Sequence, residues 1–444
     1  MIQTGPRLVD PAALGALVAR HLAHLDGPAH LDGPAHLDSP ADLDGPARDR
    51  PPLVVASGNC ASPTAALHAI DGALESYRLF VLNAHGDLPR RPGVTPVTPF
   101  VGPAMRDDPA LEYLPCRLSL VPRLFAGPDR PDVVVLHTSL PVAGRVSLGT
   151  EVNILPAAVE AARARGGIVV AQMNRQMPYT YGDAELSLDT LDAAIAVDVP
   201  LASPPVRPPD DVRATIGERV AALVGDGATL QLGIGAVPDA TLAALTGRHG
   251  LRIWTETFSD GVLGLERADA LDPSAPLTTS FVIGSAELYR WLDRNERVQV
   301  LRTETVNNPA EIARQPAMTS VNSALQVDLR AQANAAHVHG RVWSGFGGQP
   351  DYVTGALHAP GGHAIIALPS WHDRSGTSTV VPVLTEPTTS FQHSYVVSEH
   401  GVAALWGRTQ RQQSEEIISS VADPRARPEL ADYLRRPPRD AVTV

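Results

Sequence analysis

From residue 51 onward the chain alternates short apolar runs with stretches of helical periodicity. The runs at Leu53–Ala56, Leu79–Leu82, Val133–Leu136 and Ile168–Ala171 have strand length, and Leu155–Arg163 between two of them repeats with a helical period. Strands that alternate with helices predict parallel α/β layers. The second half follows the same grammar, with strand-like runs at Leu230–Leu232, Arg252–Trp254, Val298–Leu301, Ala364–Leu368 and Tyr395–Val397. Asp211 is placed to cap a helix in which Val212, Ile216, Val220 and Leu223 share one face, with Gly225 and Gly227 ending it.

Two interruptions divide this pattern. Residues 199–209 hold five prolines in eleven positions, which predicts a stiff linker and a domain boundary. Residues 24–47 repeat a six-residue unit of the type His-Leu-Asp-Gly-Pro-Ala, with a proline in every unit, so the helical pattern at 9–22 cannot run through them. The repeat reads as a disordered insert rather than as a metal tract made of His24, His30 and His36. The expected fold class is α/β, two similar-sized α/β domains with mainly parallel sheets. The expected boundaries are an N-terminal helix with its insert over 1–50, one domain over 51–199, a linker over 200–211 and a second domain over 212–444.

Composition narrows the function. A chain of 444 residues with 44% apolar content is ordinary for a globular protein of two domains. No apolar stretch approaches the ~20 residues needed to span a bilayer, and the start Met1–Arg7 lacks the basic-then-apolar pattern of a secretory signal. The expectation is a cytoplasmic protein without a membrane partner. A net charge of −12 argues against nucleic acid as a partner. Cys60 and Cys116 are the only cysteines, too few for a disulfide framework or a cysteine-rich zinc site. There is no lysine, so all 36 basic residues are arginine. That excludes Schiff-base chemistry and phosphate loops that depend on lysine.

Four segments could carry chemistry. In Thr229–Ala240 a strand runs into a Gly233-Ile234-Gly235 turn before a helix expected to start near Pro238, a place where backbone N–H groups can meet phosphate. As a dinucleotide fingerprint it is poor, because Pro238 occupies the third glycine position; a tight turn is the other reading. In Arg252–Gly261 a strand ends in a polar cluster holding Glu256 and Asp260, at the strand end where open α/β sheets bind ligands. Glu256 could equally be a loop carboxylate bonded to nearby backbone. Ser344–Tyr352 has three glycines in four residues, able to line up N–H donors or simply to form a flexible loop. Ser394–Ala403 places Glu399 and His400 at a strand end, as an acid–base pair or as a surface loop.

Taken in order, these segments resemble the acetyl-CoA hydrolase/transferase family of family I CoA-transferases, which includes 4-hydroxybutyrate and butyryl-CoA:acetate CoA-transferases. Leu230–Ala240 is similar to the family's LQLGIGxxPDA segment, and Thr255–Gly261 to its TEMFSDG segment with Thr257 in place of Met. Ser320–Leu329 (SVNSALQVDL) and Ser344–Ala356 are similar to its SINSALEVDL and SGxGGQxDFxxGA stretches. Val146–Gly149, Ile168–Asn174 and Met177–Asp183 echo pieces of the first half, so the resemblance runs from about residue 130 to about 435.

The resemblance implies a CoA-transferase that moves CoA between a short-chain acyl-CoA and a carboxylic acid such as acetate, through a glutamyl-CoA thioester. It makes Glu256 the catalytic nucleophile. Gly233, Ile234, Gly235, Ala236 and Val237 become the CoA-binding turn, Gly347 and Gly348 flank the acyl and oxyanion region, and Asn322 and Leu325 lie in a segment that approaches CoA. It implies CoA and acyl-CoA as substrates, no tightly bound cofactor, no metal, and a homodimer or higher homo-oligomer. Trp254, Thr257 and His400 depart from the family pattern, as does Pro141–Gly149, which lacks a histidine. An acyl-CoA hydrolase with the same site, acyl transfer to a dedicated biosynthetic substrate, a silent CoA-binding protein and a nicotinamide-dependent oxidoreductase are the other readings.

Overall fold

The computed structural model describes residues 5–25, 50–127, 130–204, 208–388 and 392–435. Apart from His24 and Leu25, which end a helix, the six-residue repeat lies outside the described residues. The chain makes two compact units. One takes the described chain up to residue 204 together with Thr278–Val306, and the other takes residue 208 to Leu277 and the described chain from Asn307 on. The segment Thr278–Val306 therefore belongs to the first unit although it follows the proline-rich stretch, which is neither helix nor strand where it is described.

The first unit is built on an eight-stranded, fully parallel sheet. Its strands are β1 (Arg7–Leu8), β2 (Leu53–Ala56), β3 (Tyr77–Phe80), β4 (Val94–Thr98), β5 (Glu112–Tyr113), β6 (Val133–Thr138), β7 (Ile168–Asn174) and β8 (Ala193–Val197), in the order β1-β8-β7-β6-β2-β3-β4-β5. Every residue of β2, β6 and β7 is buried. Strands covered on both faces have no polar side to show, so they read as unbroken apolar runs instead of alternating ones. The helical patterns at the start and in the middle of this half become α1 (Pro11–Leu25), which packs on α2 (Thr64–Asp71), and α3 (Leu155–Arg163).

The second unit carries β9 (Thr229–Leu232), β10 (Arg252–Trp254), β11 (Thr319–Ser323), β12 (His363–Ala367), β13 (Tyr395–Val397) and β14 (Val402–Ala404), in the order β14-β13-β12-β11-β9-β10. All pairs are parallel except β13 with β14. The chain goes from β9 outward to β10 and then returns to the opposite side of β9 to lay down β11. A reversal of that kind opens a crevice at the carboxyl ends of the two strands beside it, here β9 and β11.

Four helices frame this edge: α4 (Asp211–Ala221), α5 (Ala236–Ala244), α6 (Asp260–Arg267) and α8 (Gln349–His358), with the single turn α7 (Pro309–Ile312) packed on α8. The cap of α4 is Asp210, one residue earlier than the sequence pattern predicts; its carboxylate accepts from the Arg213 N–H at 2.9 Å. Either acid could serve, and the chain uses the one with extended backbone, as a cap requires. Ile216 and Val220 are buried as expected, whereas Val212, in the first turn, is 38% exposed. Among the described residues no helix is long and apolar enough to cross a membrane.

Helices α4 and α5 approach closely at Gly217, where an added Cβ would lie 2.6 Å from the Ala240 carbonyl carbon. That contact packs α5, the helix that follows the Gly233–Gly235 turn, against α4. Gly217→Ala should lose about 1–3 kcal/mol of stability in urea unfolding, because the overpacking outweighs the helix propensity gained. A gain in stability would contradict the contact.

Candidate active site

Glu256 follows β10 by two residues, at the carboxyl edge of the second unit's sheet. The Thr255 hydroxyl fixes this turn by donating to the Leu232 carbonyl at the end of β9, at 3.1 Å. The Glu256 carboxyl then meets two donors from outside the strand. Asn307, wholly buried, donates through Nδ2 to Oε2 at 2.7 Å, and the Gly348 backbone N–H donates to the same carboxyl. Gly348 has to be glycine for a steric reason. A Cβ there would fall 1.7 Å from Glu256 Oε2 and 2.2 Å from Asn307 Nδ2.

The two donors come together because two helix starts do. Asn307 lies two residues ahead of α7, whose first turn is capped by Asn308, and Gly348 is the N-cap of α8. The helices can touch because Gly355 of α8 leaves room for Ile312; a Cβ at Gly355 would come within 2.4 Å of Ile312 Cγ2. Gly347, at φ 56°, takes the left-handed backbone that turns the Gly348 N–H toward the carboxyl. The positive end of α8 faces the acid and favours its charged form.

Burial works in the opposite direction. It pushes the Glu256 carboxyl up to about 7, with the neighbouring Asp351 carboxylate adding to the rise and the Asn307 and Gly348 donors opposing it. Tyr352, fully buried, is held well above the ordinary phenol range by burial and by Glu256 and Asp351. Glu256 as a residue is half-buried, while its carboxyl end is crowded by these neighbours.

A second buried acid shows what a structural carboxyl looks like. Glu151, in the first unit, is also pushed up to about 7 by burial. It is 1% exposed and closed in by Asn59 Nδ2 and Asn153 Nδ2, each at 2.7 Å, and by the Gly58 N–H. Its donors tie distant loops together and nothing can reach it. Glu256 has the same shifted acidity but is half-buried as a residue, at the edge of a sheet.

The other residues singled out from sequence share the sheet edge with Glu256. Gly233, Ile234 and Gly235 form the β9–α5 turn, with Gly235 at φ 122° and Ile234 43% exposed. Helix α5 starts at Ala236, two residues before Pro238, and Val237 is buried in its first turn. Asn322, at the end of β11, donates to Ser320 Oγ at 2.8 Å and to Gln231 Oε1 at 3.3 Å, which braces β11 against β9. Leu325 follows two residues beyond β11, its N–H bonded to the Asn334 carbonyl. Glu399 accepts from the Ser370 N–H and hydroxyl, and His400 lies 3.6 Å from Asp423. The structure thus brings Gly348 into contact with Glu256 and sets the Gly233–Val237 turn and Asn322 on either side of the crevice.

Asn307, Asp351 and Tyr352 are the neighbours of Glu256 to which sequence reasoning assigned no role. The stretch Val306-Asn307-Asn308-Pro309 reads as a helix start. That signal accounts for Asn308 and gives no hint that the asparagine before it turns inward.

Known proteins resemble the chain in sequence and fold. The model of the acetyl-CoA hydrolase/transferase C-terminal domain matches residues 284–434. A 4-hydroxybutyrate coenzyme A transferase of Clostridium kluyveri is 35% identical over 76% of this chain and 81% of its own length. Among solved structures, a 4-hydroxybutyrate CoA-transferase of Porphyromonas gingivalis is similar at 33% identity with a TM-score of 0.74, covering 87% of this chain and 94% of that one. RipA of Yersinia pestis is similar at 27% identity with a TM-score of 0.80, covering 86% of this chain and 93% of that one.

Two outcomes follow from the crowded carboxyl. Gly348→Ala, at a φ of −92° that any residue tolerates, should fold and lose activity by at least ~10²-fold, since the new methyl displaces Oε2 from its donors. Wild-type turnover in that variant would contradict the contact. The second outcome concerns stability. The folded carboxyl holds its proton up to about pH 7, whereas the ordinary value is 4.5, so between those values the unfolded chain ionises first and stability falls as pH rises. Glu256→Gln should therefore melt higher than wild type at pH 8 and alike at pH 4.5; equal melting temperatures at pH 8 would show that the carboxyl is not crowded.

Proposed function

Because the chain belongs to the acetyl-CoA hydrolase/transferase family, we propose that it is a CoA-transferase that carries CoA from a short-chain acyl-CoA to a small carboxylic acid by way of Glu256. The observation that carries this reading is the Glu256 carboxyl itself, withdrawn from water yet held by two N–H donors at the carboxyl edge of the sheet. In water a carboxylate is a poor nucleophile toward a thioester; with its hydration replaced by fixed donors it becomes competent.

The covalent sequence needs nothing beyond the two substrates. Glu256 attacks the acyl carbonyl, CoA leaves as a thiolate, and an acyl-glutamyl anhydride remains. The thiolate attacks the glutamyl carbonyl, which releases the first acid and leaves glutamyl-CoA. A second carboxylate reverses the two steps and departs as the new acyl-CoA. One thioester is consumed and one is formed, so the acyl-group energy is kept. With no lysine in the chain, the phosphates of CoA fall to arginines and to backbone N–H groups such as those of the Gly233–Val237 turn at the start of α5.

Exchange of labelled acetate into acyl-CoA tests the reading. Glu256→Gln and Glu256→Ala should both lose exchange by ~10³-fold or more, and an acyl-CoA incubated with wild type should pass its CoA to added acid rather than only release it. Retained exchange in either variant, or release of free CoA unchanged by added acid, would overturn the assignment. The nucleophile is the ionised carboxyl, so kcat/KM should fall about tenfold per pH unit below about pH 7, far above the 4.5 of an ordinary glutamate.

A further inference from the structure

At the β14 edge of the second unit's sheet, we propose that Glu399, His400 and Asp423 form a binding site for a divalent transition-metal ion, Zn²⁺ above all. No step assigned to Glu256 uses it, so the two readings stand or fall separately. The site is assembled by one close contact. After β13 the chain turns through Ser398, Glu399, His400 and Gly401 into β14. This turn is pressed onto a π-helical turn at Ile417–Val421, in which the Ala422 N–H donates to the Ile417 carbonyl at 2.9 Å. Such a turn leaves carbonyls outside the α-helical ladder. The Ser398 hydroxyl donates to one of them, on Val421, at 2.7 Å, and a Cβ on Gly401 would lie 2.8 Å from another, on Ser420. Packing this close sets the His400 ring beside Asp423, the second residue past the π-helical turn.

The distances there are those of ligands and not of hydrogen bonds. His400 Nε2 is 3.7 Å from Glu399 Oε1 and 3.6 Å from Asp423 Oδ2, and one ligand atom from each of the three residues lies within 4.8 Å of the others. Where a histidine and a carboxylate of this chain pair directly, as His68 and Asp87 do, the separation is 2.9 Å. Two ligands of one tetrahedral zinc ion, each bonded at about 2.1 Å, stand about 3.4 Å apart. Both carboxylates are also fixed from behind. Ser370 donates its N–H to Glu399 Oε2 at 2.9 Å and its hydroxyl to Oε1. Arg425 donates Nε to Asp423 Oδ1 and Nη2 to Oδ2, each at 2.8 Å, and its guanidinium lies 3.7 Å over the Trp371 ring. Partners of this kind orient metal ligands and leave each oxygen a second lone pair for the ion. The hydrogen bonds from Arg425 hold the Asp423 carboxyl well below the ordinary range, and so ionised as a ligand has to be. With the imidazole neutral, two carboxylates against one guanidinium leave a net negative charge for a cation to meet. The Asp423 side chain is 7% exposed, that of Glu399 16% and that of His400 29%. The site is therefore sheltered on the carboxylate side and reachable at the ring, where water can complete the coordination. An imidazole among the ligands favours Zn²⁺ or Co²⁺ over Mg²⁺ and Ca²⁺, which prefer oxygen alone.

Zinc titration of the full-length protein, first stripped of metal with a chelator, tests the site. Wild type should take up one more equivalent of Zn²⁺ than His400→Ala, and Glu399→Gln should hold that equivalent at least ~10-fold more weakly. His24, His30 and His36 are present in every protein compared, so zinc taken up by the repeat cancels from the difference. Zn²⁺ at about 100 times its Kd should raise the wild-type melting temperature by about 2 °C or more, and Mg²⁺ should leave it unchanged. Bound Co²⁺ should give wild type a visible d–d absorption band that His400→Ala lacks. If His400→Ala does not fold, His400→Tyr, which restores the residue usual at this place in the family, decides instead. Equal zinc uptake by wild type and the His400 variant, an affinity unmoved in Glu399→Gln, or a rise in melting temperature shared by the His400 variant would overturn the site.

Discussion

A carboxyl that is to attack a thioester must be taken out of water and still be able to carry its charge. On the role proposed for Glu256, the second unit has to meet that conflict. Burial alone would keep Glu256 protonated, and the donors from Asn307 and Gly348 hold its acidity near neutrality instead of well above it. Each donor depends on features that carry no chemistry. Gly348 must lack a side chain, Gly347 must take a left-handed turn, and Gly355 must let α8 settle on α7. The parallel sheet supplies the remaining constraint, because the end of β10 is tied to the end of β9 by Thr255, which keeps the acid beside the Gly233–Gly235 turn.

Much of this was legible along the chain, for reasons that differ between its parts. The strands of the first unit announce themselves because they are buried on both faces, and Leu155–Arg163 was readable because helical period and length agree. The glycine turn and Glu256 were visible as strand ends, and their order along the chain gave the resemblance that the sequence comparisons bear out. Local signals could not say that Thr278–Val306 belongs to the first unit, since nothing in its composition records the return. The cap of α4 was misplaced by one residue because Asp210 and Asp211 differ in backbone conformation and not in chemistry. Asn307 was missed for a deeper reason. Its partner lies 51 residues away and the stretch around it reads as an ordinary helix start, so the inward turn is a property of packing alone.

The two buried glutamates show why shifted acidity by itself does not mark a working residue. Glu151 and Glu256 are displaced alike and by the same cause. They differ in what surrounds them: Glu151 is closed in by amides that bind loops together, and Glu256 is half-buried at the sheet's carboxyl edge, where Asn307 donates to Oε2 and the Gly348 N–H to the carboxyl.

The central claim is that Glu256 becomes covalently joined to CoA. The direct measurement is the mass of the peptide carrying it after the enzyme has been incubated with acyl-CoA, without acceptor acid, and then acid-quenched and digested. The account predicts a peptide spanning Glu256 heavier by CoA less one water, which disappears when acetate is added before the quench. An unmodified Glu256 peptide, or an adduct confined to Cys60 or Cys116, would contradict it.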